Sequence, residues 1–364
     1  MATMALFGLI VPAYRNRDVW FATLAGKIDM MCRLPEDLPL LDERLPLSVT
    51  DPETPPGHIV VIIGESHSTD CSQLYGYDLP TNPLLSAMQA DSSLFVFTDA
   101  TSRYYHTINC FRSFMTATHD DKPWNECENA FEVAASRGYQ TFWLSNQSPV
   151  GFNDNAIATM ASRADKVVYT TVPGEVDYSA LPYDEALTSM LDSLIAPGSK
   201  QLFFVHLMGS HRSFENRYPA DRGHFQPTDY TAYPAAQRED RACYDNSILY
   251  NDSVVSTLFR RLDSLDAVGL YFSDHGVDVF QSPSVTRITH ANSDSLSMKA
   301  AARIPMLIYA SPRYRTTHPL KMERLRRSLD TPVKNTQMVY TLMDMMGVRF
   351  RDDNRVDSLS AIRP

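Results

Sequence analysis

Apolar positions along the chain fall into short runs divided by polar, proline-marked and glycine-marked breaks, and the densest run is Ile59-Val60-Val61-Ile62-Ile63. Five consecutive β-branched residues without polar alternation predict a strand buried on both faces, as in a central parallel sheet. The run closes with Gly64-Glu65, which puts a carboxylate beyond the strand's carboxyl end, where α/β folds hold their ligands. The pattern recurs at Val268-Gly269-Leu270-Tyr271-Phe272-Ser273, followed by Asp274-His275-Gly276. Two strands delivering metal-binding side chains to one edge predict a metal site.

Strand and helix signals alternate through the rest of the chain. Asn82-Pro83 opens a helix through Met88, and residues 93–98 read as a strand. Helices are predicted over 107–118 and 129–137, the second stopped by Gly138, with a strand over 139–144. An amphipathic helix over 183–195 precedes a strand over 201–207. A long helix over 244–265 leads into the strand at 268–273, a further strand spans 304–310, and a helix over 333–346 closes before Gly347. Such alternation marks an α/β fold with a largely parallel central sheet and helices on both faces. Residues 1–57 read as an approach segment, with a short helix over 19–31 and an extended linker over 34–57. In that linker Pro35, Pro39, Pro46, Pro52, Pro55 and Pro56 remove helix and ladder donors. Residues 58–350 read as the folded domain and 351–364 as a tail.

The 364 residues can bury a substantial core. A net charge of −10 and a pI near 5.4 leave no basic stripe to neutralise phosphates, which argues against general nucleic-acid binding while allowing a local anion site. Five cysteines, Cys32, Cys71, Cys110, Cys127 and Cys243, form no CxxC pair, and their odd number leaves one thiol free unless it pairs between chains. Spacing leaves a Cys110–Cys127 bridge open. The apolar start, Met4 to Val11, is closed by Pro12, Arg15, Arg17 and Asp18. It falls short of the about 20 apolar residues a membrane span needs. It also lacks the basic opening of a secretory signal. The chain therefore reads as soluble, or as a reading frame without an upstream membrane part.

The hard ligands come next. Glu65, Asp274 and His275 combine two carboxylates and an imidazole, a set suited to zinc or manganese. Gly276 would let the backbone turn so that adjacent side chains aim at one ion; the plain alternative is a loop-capping aspartate beside a core histidine. His211 lies beyond the predicted strand at 201–207, whereas His206, within that apolar run, reads as a core histidine. His290 sits in a polar loop, as a ligand or as a surface residue. Thr107 stands at a predicted helix start, where unpaired N–H groups favour a phosphoryl oxygen and a metal can lower the hydroxyl pKa. From pattern alone, a helix N-cap is the stronger reading of Thr107. Gly64-Glu65-Ser66-His67-Ser68 approaches a nucleophile elbow, but its final glycine is serine, so Ser66 is a weak nucleophile candidate. Cys71, four residues after His67, shows no dyad.

These motifs resemble those of the phosphoethanolamine transferases that decorate lipid A and lipopolysaccharide core, sulfatase-type members of the alkaline phosphatase superfamily. The resemblance rests on Gly64-Glu65-Ser66 with Leu74-Tyr75-Gly76-Tyr77 and Pro80-Thr81-Asn82-Pro83, then Gly209-Ser210-His211 with Arg217-Tyr218-Pro219. It continues through Tyr244-Asp245-Asn246-Ser247-Ile248-Leu249-Tyr250, Ser273-Asp274-His275-Gly276 and Ile304-Pro305-Met306-Leu307-Ile308, covering roughly residues 58 to 346 in the family's order. It implies an alkaline phosphatase/sulfatase-like fold and one tightly bound zinc held by Glu65, Thr107, Asp274 and His275. His211 and His290 would lie near the substrate phosphate or a second zinc; manganese is the weaker alternative. It also implies attack by Thr107 on phosphatidylethanolamine and release of diacylglycerol, with His211 supplying a proton to the leaving group. A lipopolysaccharide or other glycan acceptor would then receive the phosphoethanolamine, at the membrane surface on the periplasmic side of the inner membrane.

Two departures stand out. The familiar lipid A enzymes carry a cysteine-flanked Thr-x-Thr segment, whereas here the stretch is Arg103-Tyr104-Tyr105-His106-Thr107-Ile108-Asn109-Cys110, so Thr101, Ser102 and Thr116 remain alternative nucleophiles. The family's amino-terminal membrane helices have no counterpart in the sequence. The competing functions are a phosphodiesterase or sulfatase-like hydrolase of the same superfamily, and a domain that keeps the fold without activity.

Overall fold

The computed structural model describes residues 47–49, 55–117, 128–148, 155–170, 182–290, 292–350 and 358–359, all within one compact unit, Leu41–Pro364. The predicted helix over 19–31 and most of the predicted linker and tail lie outside these residues.

The β-branched run forms β1 (His58–Gly64), every residue of which is buried. It sits near the middle of a seven-stranded sheet with β2 (Leu94–Val96), β3 (Gln140–Ser145), β4 (Lys166–Tyr169), β5 (Gln201–His206), β6 (Ala267–Ser273) and β7 (Met306–Ala310). Their order is β2-β7-β6-β1-β5-β3-β4. β1 pairs in parallel with β5 on one side and β6 on the other, and β7 alone among these strands runs against its neighbours. The largely parallel sheet is as the alternation predicts.

Successive side chains of a strand point to opposite faces, so β1 feeds two cores. Ile59, Val61 and Ile63 pack on one face with α2 (Thr107–Met115) and α3 (Ala130–Ser136), through Phe111, Phe114 and Phe131. Val60 and Ile62 pack on the other with α1 (Pro83–Ala90), α5 (Glu185–Leu194) and the 26-residue α6 (Ala235–Arg260), through Leu85, Leu187 and Val255. Each such side chain, fully buried, contributes about 1.5–3 kcal/mol, enough to fix the strand's register. Among the described residues the remaining α-helices are α4 (Asn155–Ala161), which precedes α5, then α7 (Ser295–Ala302), α8 (Pro312–Thr317), α9 (Pro319–Ser328) and α10 (Gln337–Met345).

Some boundaries differ from the sequence reading. α6 begins nine residues before the predicted 244 and ends at Arg260. The closing helix starts at Gln337, because Val333–Lys334 pairs in parallel with Ala100–Thr101 instead. Part of the proline-rich segment is not an unpaired linker: Leu47–Val49 forms an antiparallel ladder with Val348–Phe350. Cys71, Cys110 and Cys243 are buried free thiols, so the Cys110 bridge does not form; Cys127 lies outside the described residues.

Candidate active site

The carboxyl ends of β1, β5 and β6 meet at one edge of the sheet, and the three segments leaving them carry Glu65, Gly209-Ser210-His211 and Asp274-His275. Glu65, Asp274 and His275 are almost wholly buried, at 2%, 0% and 0% exposure. Each offers a ligand atom within 4.8 Å of the others. His275 Nε2 lies 3.5 Å from Glu65 Oε1 and 3.4 Å from Asp274 Oδ2. Its Nδ1 is 2.9 Å from the Gly276 carbonyl. A proton on Nδ1 donated to that carbonyl leaves the Nε2 lone pair facing the carboxylates, the orientation found in metal-ligating histidines. Asp274 Oδ2 is buried without a hydrogen-bond partner among the described residues. Three converging buried donors, one oxygen of them unpartnered, fit a divalent cation such as zinc.

Electrostatics point the same way. Burial drives the Asp274 carboxyl up and the neighbouring Glu65 charge drives it further. Burial also pushes Glu65 up, but His275 and His211 outweigh it and hold that carboxyl below its usual range. His275 is lowered by burial yet raised on balance by Asp274 and Glu65. Two adjacent buried carboxylates therefore share the edge only with a positive charge between them.

Thr107 completes the cluster from α2. Its Oγ1 lies 3.4 Å from Glu65 Oε2 and 3.4 Å from His275 Nε2. The N-cap reading is corrected: the cap position is His106, which makes no side-chain cap bond, and Thr107 is the first helical residue. Its hydroxyl is thus turned to the buried triad instead of to the helix. The alternative nucleophiles are engaged elsewhere. Thr101 donates to Val333 O, Thr116 to Arg112 O and Ser102 to Asp274 O. The Ser66 hydroxyl donates to Glu65 Oε1 at 2.7 Å, a supporting bond.

The predicted histidines fall into place unevenly. The His290 ring lies 4.3 Å from that of His275, centroid to centroid, and 5.5 Å from that of His106. Burial, then the neighbouring His275, lowers His290 to about 4, so it is neutral at pH 7. His211 is half-buried on the loop after β5 and its field reaches Glu65. His206 is buried as read, packed on Phe111 and Trp143. Gly276 serves a close approach: a Cβ there would meet Arg303 O at 2.7 Å.

Ser102, named from sequence only as an alternative nucleophile, and two residues without any sequence signal, Asp184 and Asn335, hold this arrangement. Ser102 Oγ and Asn335 Nδ2 both donate to the Asp274 carbonyl, at 2.6 and 2.9 Å. Asp184 accepts from the Met208 and Gly209 N–H groups at 2.8 Å each, fixing the loop that carries His211. No spacing signal links these residues to the site, because only the fold brings them there.

A buried carboxylate–imidazole triad at the carboxyl edge of a mostly parallel sheet, facing a hydroxyl at a helix start, defines the class. The sulfatase family profile matches residues 57–348, and the chain belongs to that family. Among its relatives, phosphoethanolamine transferase EptC of Escherichia coli (strain K12) is 28% identical over 304 residues, 81% of this chain and 52% of that protein. Putative transferase YhbX of the same strain is 33% identical over 259 residues, 70% of this chain and 43% of that protein. The chain spans about half the length of the curated relatives it matches. The C-terminal periplasmic domain of EcEptC from Escherichia coli, in complex with Zn, is similar at a TM-score of 0.77 and 26% identity, over 87% of this chain and 89% of that one. The soluble domain of lipooligosaccharide phosphoethanolamine transferase A from Neisseria meningitidis shares the fold at a TM-score of 0.71 and 19% identity, over 88% of this chain and 97% of that one.

Proposed function

We propose that this protein transfers phosphoethanolamine from phosphatidylethanolamine to a lipopolysaccharide or other glycan acceptor, through a phosphothreonine on Thr107. Residues 58–350 would be the catalytic domain, working on the periplasmic side of the inner membrane; among the described residues no helix is long and apolar enough to cross a membrane. The observation that carries the reading is Thr107 Oγ1 standing 3.4 Å from both Glu65 Oε2 and His275 Nε2 at the start of α2. Zinc held by Glu65, Asp274, His275 and Thr107 Oγ1 would supply Lewis acidity, lowering the hydroxyl pKa and offsetting phosphoryl charge.

The chain's own residues divide the remaining work. Glu65 and His275 orient the Thr107 hydroxyl so that its lone pair faces the phosphorus, and the unpaired N–H groups of the first turn of α2 receive a phosphoryl oxygen. Thr107 Oγ1 gives up its proton to solvent and forms the new P–O bond as the bond to the diacylglycerol oxygen breaks. His211 gives that oxygen its proton. An acceptor hydroxyl or phosphate then displaces phosphoethanolamine from Thr107, splitting one transfer into two steps. His290, neutral and beside His275, would contact the donor phosphate or a second zinc.

Intact-mass measurement of zinc-loaded protein with phosphatidylethanolamine tests the reading. The expected outcome is an adduct of phosphoethanolamine mass on the wild type and none on Thr107→Ala. Free phosphoethanolamine in solution, with no transfer to lipopolysaccharide, would instead make the protein a hydrolase of this fold.

A further inference from the structure

The turn that carries Glu65 is held from a distance. Ser66 has φ +57°, in the left-handed region that a residue with a Cβ seldom adopts. That conformation lets one residue serve both carboxylates: its N–H donates to Asp274 Oδ1 at 3.3 Å and its hydroxyl to Glu65 Oε1 at 2.7 Å. The remaining polar atom, the Ser66 carbonyl, accepts from the Tyr244 hydroxyl at 2.7 Å. The same phenol oxygen accepts the Ser68 N–H at 2.9 Å. Tyr244 is fully buried on α6, its ring against Phe214 at 5.1 Å. One turn further along that helix, Ser247 donates to Ser210 Oγ at 2.8 Å, beside His211. Residues three apart share a helix face, so one face of α6 grips the segments leaving both β1 and β5.

We infer that Tyr244 is a positioning residue for the metal site: its hydroxyl pins Ser66 in the left-handed conformation and so sets the spacing of Glu65 and Asp274. Without the hydroxyl, the Ser66 carbonyl and Ser68 N–H lose their buried partner. Ser66 then relaxes towards negative φ, which turns its N–H away from Asp274. The inference rests on the reading of Glu65, Asp274 and His275 as metal ligands, and loss of an outer partner of such ligands costs about 10–100-fold in metal affinity.

Competition of the full chain with a chromophoric chelator for zinc, with the visible spectrum of the cobalt form as a geometric signature, tests this. Tyr244→Phe should weaken zinc binding 10–100-fold and shift the cobalt bands. Tyr250→Phe, a buried tyrosine of the same helix whose hydroxyl bonds nothing in the 65–68 turn, should change neither. In the Ser66→Gly background, where glycine adopts positive φ unaided, the Tyr244→Phe effect should shrink; a general loss of packing would weaken both backgrounds equally. Equal zinc affinity in wild type and Tyr244→Phe overturns the inference alone. Failure of the wild type to bind zinc overturns the ligand reading and the inference together. Should Tyr244→Phe not fold, Ser66→Ala carries the test, and unchanged zinc affinity there would overturn the role of the turn.

Discussion

At the scale of single residues, the site depends on backbone packed against backbone as much as on the side chains that converge there. Gly209 adopts φ +52°, and a Cβ there would lie 2.8 Å from both the amide nitrogen and the carbonyl oxygen of Glu65. The Glu65 carbonyl already accepts the Ser210 N–H at 2.9 Å, so these buried backbone atoms cannot step aside. Gly209→Ala should therefore cost about 2–4 kcal/mol from overpacking and left-handed strain together, and it should displace Glu65. Gly138 has φ +78° but nothing within 4 Å of its added Cβ, so Gly138→Ala should cost only about 1 kcal/mol. Urea unfolding and zinc titration of the two variants separate the cases: a Gly209→Ala protein with wild-type zinc affinity would refute the packing argument. The sequence showed Glu65, Asp274 and His275 because each follows an apolar run directly. Asp184 and Asn335 stayed silent, and Ser102 stood out only as an alternative nucleophile, because the partners of Ser102, Asp184 and Asn335 lie 172, 24 and 61 residues away, with no local pattern to announce the supporting role.

Elements were legible where burial alone decides them. β1 and β6 are apolar throughout and buried throughout, so pattern and structure coincide. The first turns of α6, with Gln237, Arg238, Glu239 and Asp240, carry no apolar period, and the helix start was therefore missed. α8 and α9 have no counterpart among the predicted helices, although Pro312 and Pro319 each occupy a first helical position. Between elements, Asp252 of α6 accepts the N–H groups of Leu84 and Leu85 at 2.9 Å each, tying α6 to the first turn of α1. Burial, only partly opposed by those two N–H groups, raises its carboxyl from 3.8 to about 6. The folded protein thus keeps a proton on Asp252 that the unfolded chain gives up near pH 3.8. Its contribution to stability is full below that pH and is lost as the pH rises through 6, a change of about 3 kcal/mol. Asp252→Asn cannot ionise. The unfolding free energy of the wild type relative to this variant should therefore fall by about that amount between about pH 4 and 7. A pH-independent difference would mean that the two N–H groups keep the carboxylate ionised.

For the whole molecule, the two cores on either side of the sheet and the buried charges at its edge pull in opposite directions. Ile59 to Ile63 and their partners hold β1 in place, yet the strand ends by bringing Glu65 to buried Asp274, where burial and the Glu65 charge together raise the Asp274 carboxyl. A cation that binds this edge when folded, and not the unfolded chain, offsets that cost by mass action, about 2.7 kcal/mol when present at about 100 times its dissociation constant. The melting temperature should therefore rise by roughly 5 °C on saturation with zinc, and return on adding a chelator. Glu65→Gln keeps the shape and the Ser66 bond while removing one of the two carboxylate charges, so its melting temperature should hardly differ between zinc and chelator. Calorimetry of both proteins in both conditions decides the matter. A wild-type melting point indifferent to zinc, or a Glu65→Gln variant stabilised as strongly as the wild type, would separate the triad from the stability of the fold and leave the buried carboxylates without a physical reason.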